Sequence, residues 1–343
     1  MKLSIKPLSV VLLSIGCVAQ TAFGAVYIPT VYVGDPGNAN DSTGYGSVST
    51  GYKIATYETS ISVYTAFLNA VAATDTYSLY NNSMASDANI AGIARSGSSG
   101  SYAYSVIGDG SRPVAYVNWF DAARFVNWME NGQPTGSQVA GVTETGAYTL
   151  NGATSGVSIS RNPGFNYGLP SESEWYKAAY HQPAGQGGDG DNYWLYPTSA
   201  NGVPNSRNGS LSDPNSANFI RDDSIANGFN GGYAVNNSGS TPTGNALTSA
   251  GAYLLADSFY GTFDQAGNLA EWTDGISGGN RIYRGGSWGV LESQLRATAR
   301  VGTFPTSESP FIGFRIMQVP EPAALSLASL GIACLFFRRK CSI

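Results

Sequence analysis

The sequence predicts a single α+β domain that is irregular and rich in loops. Only 12 % of its 343 residues are charged, whereas glycine (43) and tyrosine (21) are abundant. Clusters of Gly, Asn, Ser and Pro interrupt the short apolar segments, above all over residues 182–250, and such clusters favour turns. Because 42 % of the residues are hydrophobic, the chain can still bury a core. No repeat and no linker divides it into two cores.

Three short helices are predicted, over residues 61–73, 121–129 and 175–180. In the first two, apolar residues recur at helical spacing: Val63, Phe67, Leu68 and Val71, then Ala122, Phe125, Val126 and Met129. The third follows a capping box, with Ser171 as N-cap and Glu174 three residues later. The stretches between these helices are predicted to be short strands and loops.

The N-terminus has the pattern of a secretory signal peptide. Lys2 and Lys6 precede an apolar run over residues 8–19, and residues 22–24 provide the small side chains of a cleavage site. Residues 1–24 are therefore predicted to be removed during export.

The C-terminus combines Pro-Glu-Pro at 320–322, an apolar run over 323–337 and basic residues at 338–340. A helix of this length covers roughly 22 Å, less than the ~30 Å hydrocarbon core of a bilayer. The order of these parts resembles the PEP-CTERM sorting signal of Gram-negative bacteria, over residues 319–343. That resemblance implies export across the inner membrane, recognition by an exosortase and a surface or extracellular location, with the C-terminal segment in the membrane before processing. A plain single-pass anchor is the alternative.

All three cysteines, Cys17, Cys334 and Cys341, lie in the targeting segments. The body of the chain, residues 25–319, therefore has no disulfide, no thiolate nucleophile and no metal–thiolate site. It carries 13 basic and 22 acidic residues, about −9 in net charge, and no basic stripe, which argues against nucleic acid as a partner. Its one histidine, His181, excludes a metal site with several imidazoles.

Six blocks occur in order along the body: IATYET at 54–59, PVAYVNWFDAA at 113–123, LPSESEW at 169–175, GNLAEW at 267–272, RGGSW at 284–288 and GFR at 313–315. This series resembles the formylglycine-generating enzyme, or sulfatase-modifying factor, family. The resemblance assigns residues 25–318 to one domain. It implies an elaborated C-type-lectin-like fold with little regular secondary structure.

The resemblance does not imply the family's oxidase activity. The oxidases bind copper through two cysteines after their Gly-Gly-Ser-aromatic block, and the matching positions hold Val290 and Leu295. We expect no copper, and neither haem nor a nucleotide. By the same match, Trp288, Val290 and Leu295 are expected at a ligand pocket. The GGSWG sequence at 285–289 has the form of a nucleophile elbow, but no histidine follows Ser287, so a hydrolase is not predicted.

The resemblance also implies structural calcium, which prefers oxygen ligands on flexible turns. The implied ligands are Asp264, Gly267, Leu269 and Glu271 in one loop, and Asn218 and Phe219 at a second site whose other ligands stay unassigned. The alternative is that Glu271 only caps a turn and that no ion binds.

Two classes of function fit these observations. The first is a non-catalytic surface or matrix protein that binds a glycan, such as exopolysaccharide, or a surface protein. Abundant tyrosine and asparagine suit the stacking and hydrogen bonding of sugars. The second is an enzyme with a redesigned active site that acts on an exported partner, although no convergent set of catalytic side chains is visible.

Overall fold

The computed structural model describes residues 25–186, 190–209, 212–221 and 232–320. The predicted signal peptide and residues 321–343 lie outside the described residues. Within the described ranges, no helix is both long enough and apolar enough to cross a membrane.

Four helices are present in the described ranges: α1 Ile61–Val71, α2 Ser83–Ser86, α3 Trp119–Glu130 and α4 Glu172–Tyr180. The three predicted helices are confirmed, each within two or three residues at its ends. The capping box of α4 is also confirmed, since the Ser171 hydroxyl accepts from the Glu174 N–H and the Glu174 carboxylate accepts from the Ser171 N–H. Asn118 and Asp121 form a second capping box at α3. The sequence did not predict α2.

The strands are short, as expected of a loop-rich fold: β1 Thr30–Val33, β2 Tyr52–Ala55, β3 Ile93–Ser96, β4 Ala103–Val106, β5 Tyr167–Gly168, β6 Asn205–Ser206, β7 Ser216–Ala217, β8 Ile220–Arg221, β9 Gly232–Tyr233, β10 Ala270–Ser277, β11 Asn280–Arg284, β12 Val301–Thr303, β13 Ile312–Gly313 and β14 Met317–Gln318. A 3₁₀ turn covers Glu292–Gln294. The mixture of modest helix and strand content with long loops is the predicted α+β class.

Two four-stranded sheets organise the domain. The first has the order β1-β2-β14-β5 and is antiparallel throughout. The second has the order β12-β11-β10-β13, and β13 runs parallel to β10. The first sheet therefore joins the two ends of the domain, and the second carries the blocks GNLAEW and RGGSW at the start of β10 and the end of β11.

An aromatic core lies between α1 and α3. Phe67 of α1 meets Phe125 of α3 edge-to-face with ring centroids 5.4 Å apart, and Phe125 meets Phe314 at 5.2 Å. Tyr64 and Trp128 complete this cluster. We call these five residues the aromatic core. Edge-to-face pairs of this kind stabilise a core beyond the area that they bury.

A second buried group in the domain is formed by arginines and their carboxylate partners. Arg281 and Arg284 belong to β11, Arg315 follows β13, and all three are buried. Arg284 pairs with Glu172 of α4 at 2.7 Å, and Arg315 pairs with Glu271 of β10 at 2.5 Å. We call these three arginines and their carboxylate partners the arginine layer.

Candidate functional site

The RGGSW block opens onto a cavity of about 180 Å³ beside β10, β11 and β12. Its walls are mostly apolar, with Val290, Val301 and Phe311 among the lining residues. Ser287 also lines it, and the buried Ser287 hydroxyl has no hydrogen-bond partner within the described part of the chain. The arrangement can hold an apolar group next to one polar hydroxyl. We call it the Ser287 cavity.

Two glycines shape the turn that leads into the Ser287 cavity. Gly285 and Gly286 both have positive φ, 99° and 69°, which side chains disfavour. A Cβ on Gly286 would come within 2.7 Å of a Leu295 methyl carbon. The turn therefore needs glycine, and it brings the Ser287 backbone against the segment 290–295.

The three predicted pocket residues lie together but contribute differently. Val290 lines the Ser287 cavity. Leu295 is fully buried next to Val290, in a cluster with Phe219 and Tyr196. Trp288 is buried beside the cavity, where its ring lies 5.0 Å from that of the lining residue Phe311.

The two segments predicted to bind calcium are direct neighbours. Asn218 and Gly267 form a parallel bridge, and the Asn268 N–H donates to the Asn218 carbonyl at 2.7 Å. A Cβ on Gly267 would come within 2.1 Å of the Asn218 oxygen, which explains the glycine there. The Phe219 carbonyl already accepts from the Ser206 hydroxyl at 2.5 Å.

Asp264 keeps one carboxylate oxygen available. Its Oδ2 accepts from the Gly251 N–H at 2.8 Å, whereas the buried Oδ1 has no partner among the described residues. Burial raises the pKa of Asp264 to about 6, against the lowering effect of the Gly251 bond and Arg315. Such an unpartnered oxygen is a possible cation ligand.

Glu271 is occupied by protein donors. Arg315 binds its two oxygens at 2.5 and 2.7 Å, and the Trp175 indole N–H donates at 2.7 Å. Leu269, two residues before, is buried, and its N–H donates to Glu58. Of the two implied carboxylate ligands, Asp264 thus has one oxygen without a donor in the described residues, whereas Arg315 already binds both oxygens of Glu271. The described residues contain no group of three or more His, Cys, Asp or Glu side chains that could hold a metal.

Glu58 is a buried carboxyl to which the sequence reasoning gave no role. It accepts from the Leu269 N–H and from the Asn268 side-chain amide, both at 2.9 Å. Burial, and then the charges of Glu271 and Asp264, raise the pKa of Glu58 well above its ordinary value. The only available signal was its place in the IATYET block.

His181 takes no part in the Ser287 cavity. Its Nδ1 lies 2.8 Å from the Tyr260 hydroxyl and its Nε2 lies 3.3 Å from Asp35. Burial lowers the pKa of His181 to about 4, so the ring is neutral at pH 7. His181 is thus not among the residues that line the Ser287 cavity, and the absence of hydrolase activity stays a prediction.

The comparisons with known proteins cover almost the whole described domain. Residues 318–340 match the PEP-CTERM protein-sorting motif, which implies an exported protein sorted by an exosortase in a Gram-negative bacterium. Similar solved structures cover 85–87 % of this chain: Treponema denticola variable protein 1 (17 % identity, TM-score 0.43, 97 % of that chain), CarF (17 %, 0.45, 100 %) and PvdO from Pseudomonas aeruginosa (16 %, 0.38, 92 %). Residues 30–319 match the sulfatase-modifying factor enzyme 1-like domain, and the chain therefore belongs to that family.

Proposed function

We propose that this exported domain is a non-catalytic binding module and that its Ser287 cavity receives an apolar group of a glycan or protein ligand. The observation that carries the proposal is the apolar lining of this cavity. Val290 stands in its wall at a position where the family's oxidases have a copper-binding cysteine.

The size of the cavity limits what can enter it. At about 180 Å³ it is smaller than the roughly 300–1,000 Å³ of pockets that enclose whole small molecules. It therefore suits a single group, such as a protein side chain or an acetyl substituent of a polysaccharide. Phe304 and Leu291, on the segments around the lining residues, are 68 % and 42 % exposed and give the ligand further apolar surface.

The test is a binding assay that compares the protein with a variant in which a larger side chain fills the Ser287 cavity. Purified protein is applied to a glycan array and to the exopolysaccharide and surface proteins of the producing bacterium. A Val290→Trp variant fills the Ser287 cavity, and Val139→Trp changes an exposed valine in a distant loop as the matched control. We expect Val290→Trp to abolish binding and Val139→Trp to keep it. Equal binding by both variants would contradict the proposal.

An enzyme with a redesigned active site is the second candidate, favoured only by the unpartnered Ser287 hydroxyl. If an exported partner incubated with the protein changes in mass, and a Ser287→Ala variant leaves it unchanged, the domain is catalytic. Unchanged mass in both reactions supports the binding module.

We also propose that calcium binds at Asp264. Support comes from the unpartnered Asp264 Oδ1 and from the neighbouring turn, in which Gly267 and Leu269 have backbone carbonyls. Calcium there would neutralise a buried carboxylate and stabilise the loop that precedes β10.

A further inference from the structure

A second cavity of about 180 Å³ lies where the N-terminal segment crosses the start of α1. Tyr27, Tyr57, Glu58 and Thr59 line it, together with Ala250 of a distant loop. We call it the Glu58 cavity. None of the predicted site residues lines it, and it shares no lining residue with the Ser287 cavity.

The inner wall of the Glu58 cavity carries an acidic group. Glu58 is only 5 % exposed. The other charged groups close to its carboxyl are Glu271 of β10, Asp264 of the preceding loop and Arg315 after β13. Three carboxyl groups thus share one guanidinium, which Glu271 already binds through both oxygens. An ionised Glu58 therefore lacks a full counter-charge.

Two aromatic rings complete the lining. Tyr57 is held in place, since its ring stacks on Phe263 at 5.5 Å and contacts the backbone turn at Gly251. Tyr27 is 81 % exposed and forms the outer wall. The faces of aromatic rings attract cations, and two rings next to a carboxyl group are suited to bind an ammonium group.

A buried hydroxyl in the same wall has no partner. Thr59 is 3 % exposed, it lines the Glu58 cavity, and its Oγ1 makes no hydrogen bond within the described residues. Buried polar atoms are nearly always bonded, and an exception points to a partner such as a ligand or a water molecule.

The N-terminus of α1 adjoins the Glu58 cavity but does not provide an anion-binding site. The first N–H groups of α1 are already used: Ile61 donates to the Arg112 carbonyl, Ser62 to the Gly110 carbonyl and Val63 to the Ser60 hydroxyl. The donors that attract anions at a helix N-terminus are therefore not free here.

From this geometry we propose that the Glu58 cavity binds an organic ammonium group, with Tyr27 and Tyr57 around the cation and Glu58 as its counter-charge. Trimethylammonium groups and primary amines share this chemistry. The mostly apolar lining favours the methylated form, because its methyl groups pack against apolar walls and aromatic rings.

Calorimetric titration of the purified protein, with EGTA present to remove calcium, tests the proposal. The probes are choline, its uncharged isostere 3,3-dimethylbutan-1-ol, and methylammonium. We expect choline to bind roughly tenfold more tightly than the isostere, and Tyr27→Ala to weaken choline binding roughly threefold to tenfold. Tyr32→Ala removes another exposed tyrosine, outside the cavity, and should change nothing.

A Glu58→Gln variant provides a second readout. Glutamine keeps the size of the side chain but cannot supply a carboxylate, so choline should bind more weakly while the uncharged isostere binds as before. Tighter binding of methylammonium than of choline would assign the cavity to a primary amine. Equal binding of choline and its isostere, absence of choline binding, or no effect of Tyr27→Ala would each overturn the proposal.

Discussion

The aromatic core and the arginine layer are both buried, but they are held by different forces. In the aromatic core, rings such as Phe67 and Phe125 pack without any charge. In the arginine layer, each arginine binds carboxylates and backbone carbonyls, as Arg315 does with Glu271 and the Ala55 oxygen. Nondirectional packing tolerates small shifts, whereas directional bonds do not. Both cavities adjoin the arginine layer, since Arg284 lines the Ser287 cavity and Arg315 lies near Glu58.

Among the changes that test this comparison, removal of Arg315 should have the largest effect on stability. Arg315→Met leaves Glu271 buried without its cation, and the free energy of unfolding should fall by about 3–5 kcal/mol. Urea unfolding followed by tryptophan fluorescence measures the change.

The control is a pair of the same type near the surface. Arg207→Met removes a partner of Asp213, and these side chains are 41 % and 17 % exposed, so the loss should be under about 1 kcal/mol. Equal losses in the two variants would mean that burial does not distinguish the arginine layer.

The next largest effect should come from a change of pH at Asp264, a buried carboxyl near Arg315 and Glu271 of the arginine layer. The pKa of Asp264 is raised to about 6 in the folded state, so the folded protein binds an extra proton between about pH 4 and 6. Stability from this group is therefore present at low pH and is lost as the pH rises through 6. In EGTA, Asp264→Asn should increase the free energy of unfolding at pH 7.5 by up to about 3 kcal/mol and have little effect at pH 4.

The aromatic core provides the contrast for that experiment. Phe125→Leu should destabilise the protein equally at both pH values, since no charge lies in the cluster. A pH-independent effect of Asp264→Asn would instead show that Asp264 is ionised throughout.

The same contrast explains what the sequence could predict. Helical periodicity located α1 and α3 because their apolar faces form the aromatic core, and a local motif located α4. Helix α2, with four residues, is too short to show a period.

The site was harder to predict because its contacts are long-range. The resemblance located Val290 in a cavity wall, but it gave no sign of the Glu58 cavity. Glu58 bonds to Leu269, 211 residues away, and no local pattern reports such a pair. Likewise, nothing in the sequence indicated that Arg315 would bind Glu271.

Calcium should have a moderate effect, through the loop of Asp264 that lies next to the arginine layer. If it binds at Asp264, calcium at ten times its dissociation constant should stabilise the protein by about 1.4 kcal/mol. Thermal unfolding with calcium and with EGTA measures this, and Asp264→Asn should reduce the difference. An unchanged melting temperature in both solutions would contradict the calcium proposal.

The smallest expected effects come from the two capping boxes. Ser171→Ala at α4 and Asn118→Ala at α3 each remove a side-chain acceptor and should cost about 1 kcal/mol. The Asn118 change should cost somewhat more, because its amide also donates to Glu308 at 3.2 Å. Thermal unfolding of both variants compares the same motif in the two regions.

Strand β14 would bear mechanical load if the exported protein were tethered through its C-terminus. It overlaps the start of the sorting motif at Gln318, and it lies inside its sheet, between β2 and β5. Drag on a domain tethered in this way would first load β14. Its backbone hydrogen bonds to two neighbouring strands would share that load and oppose unfolding from this end.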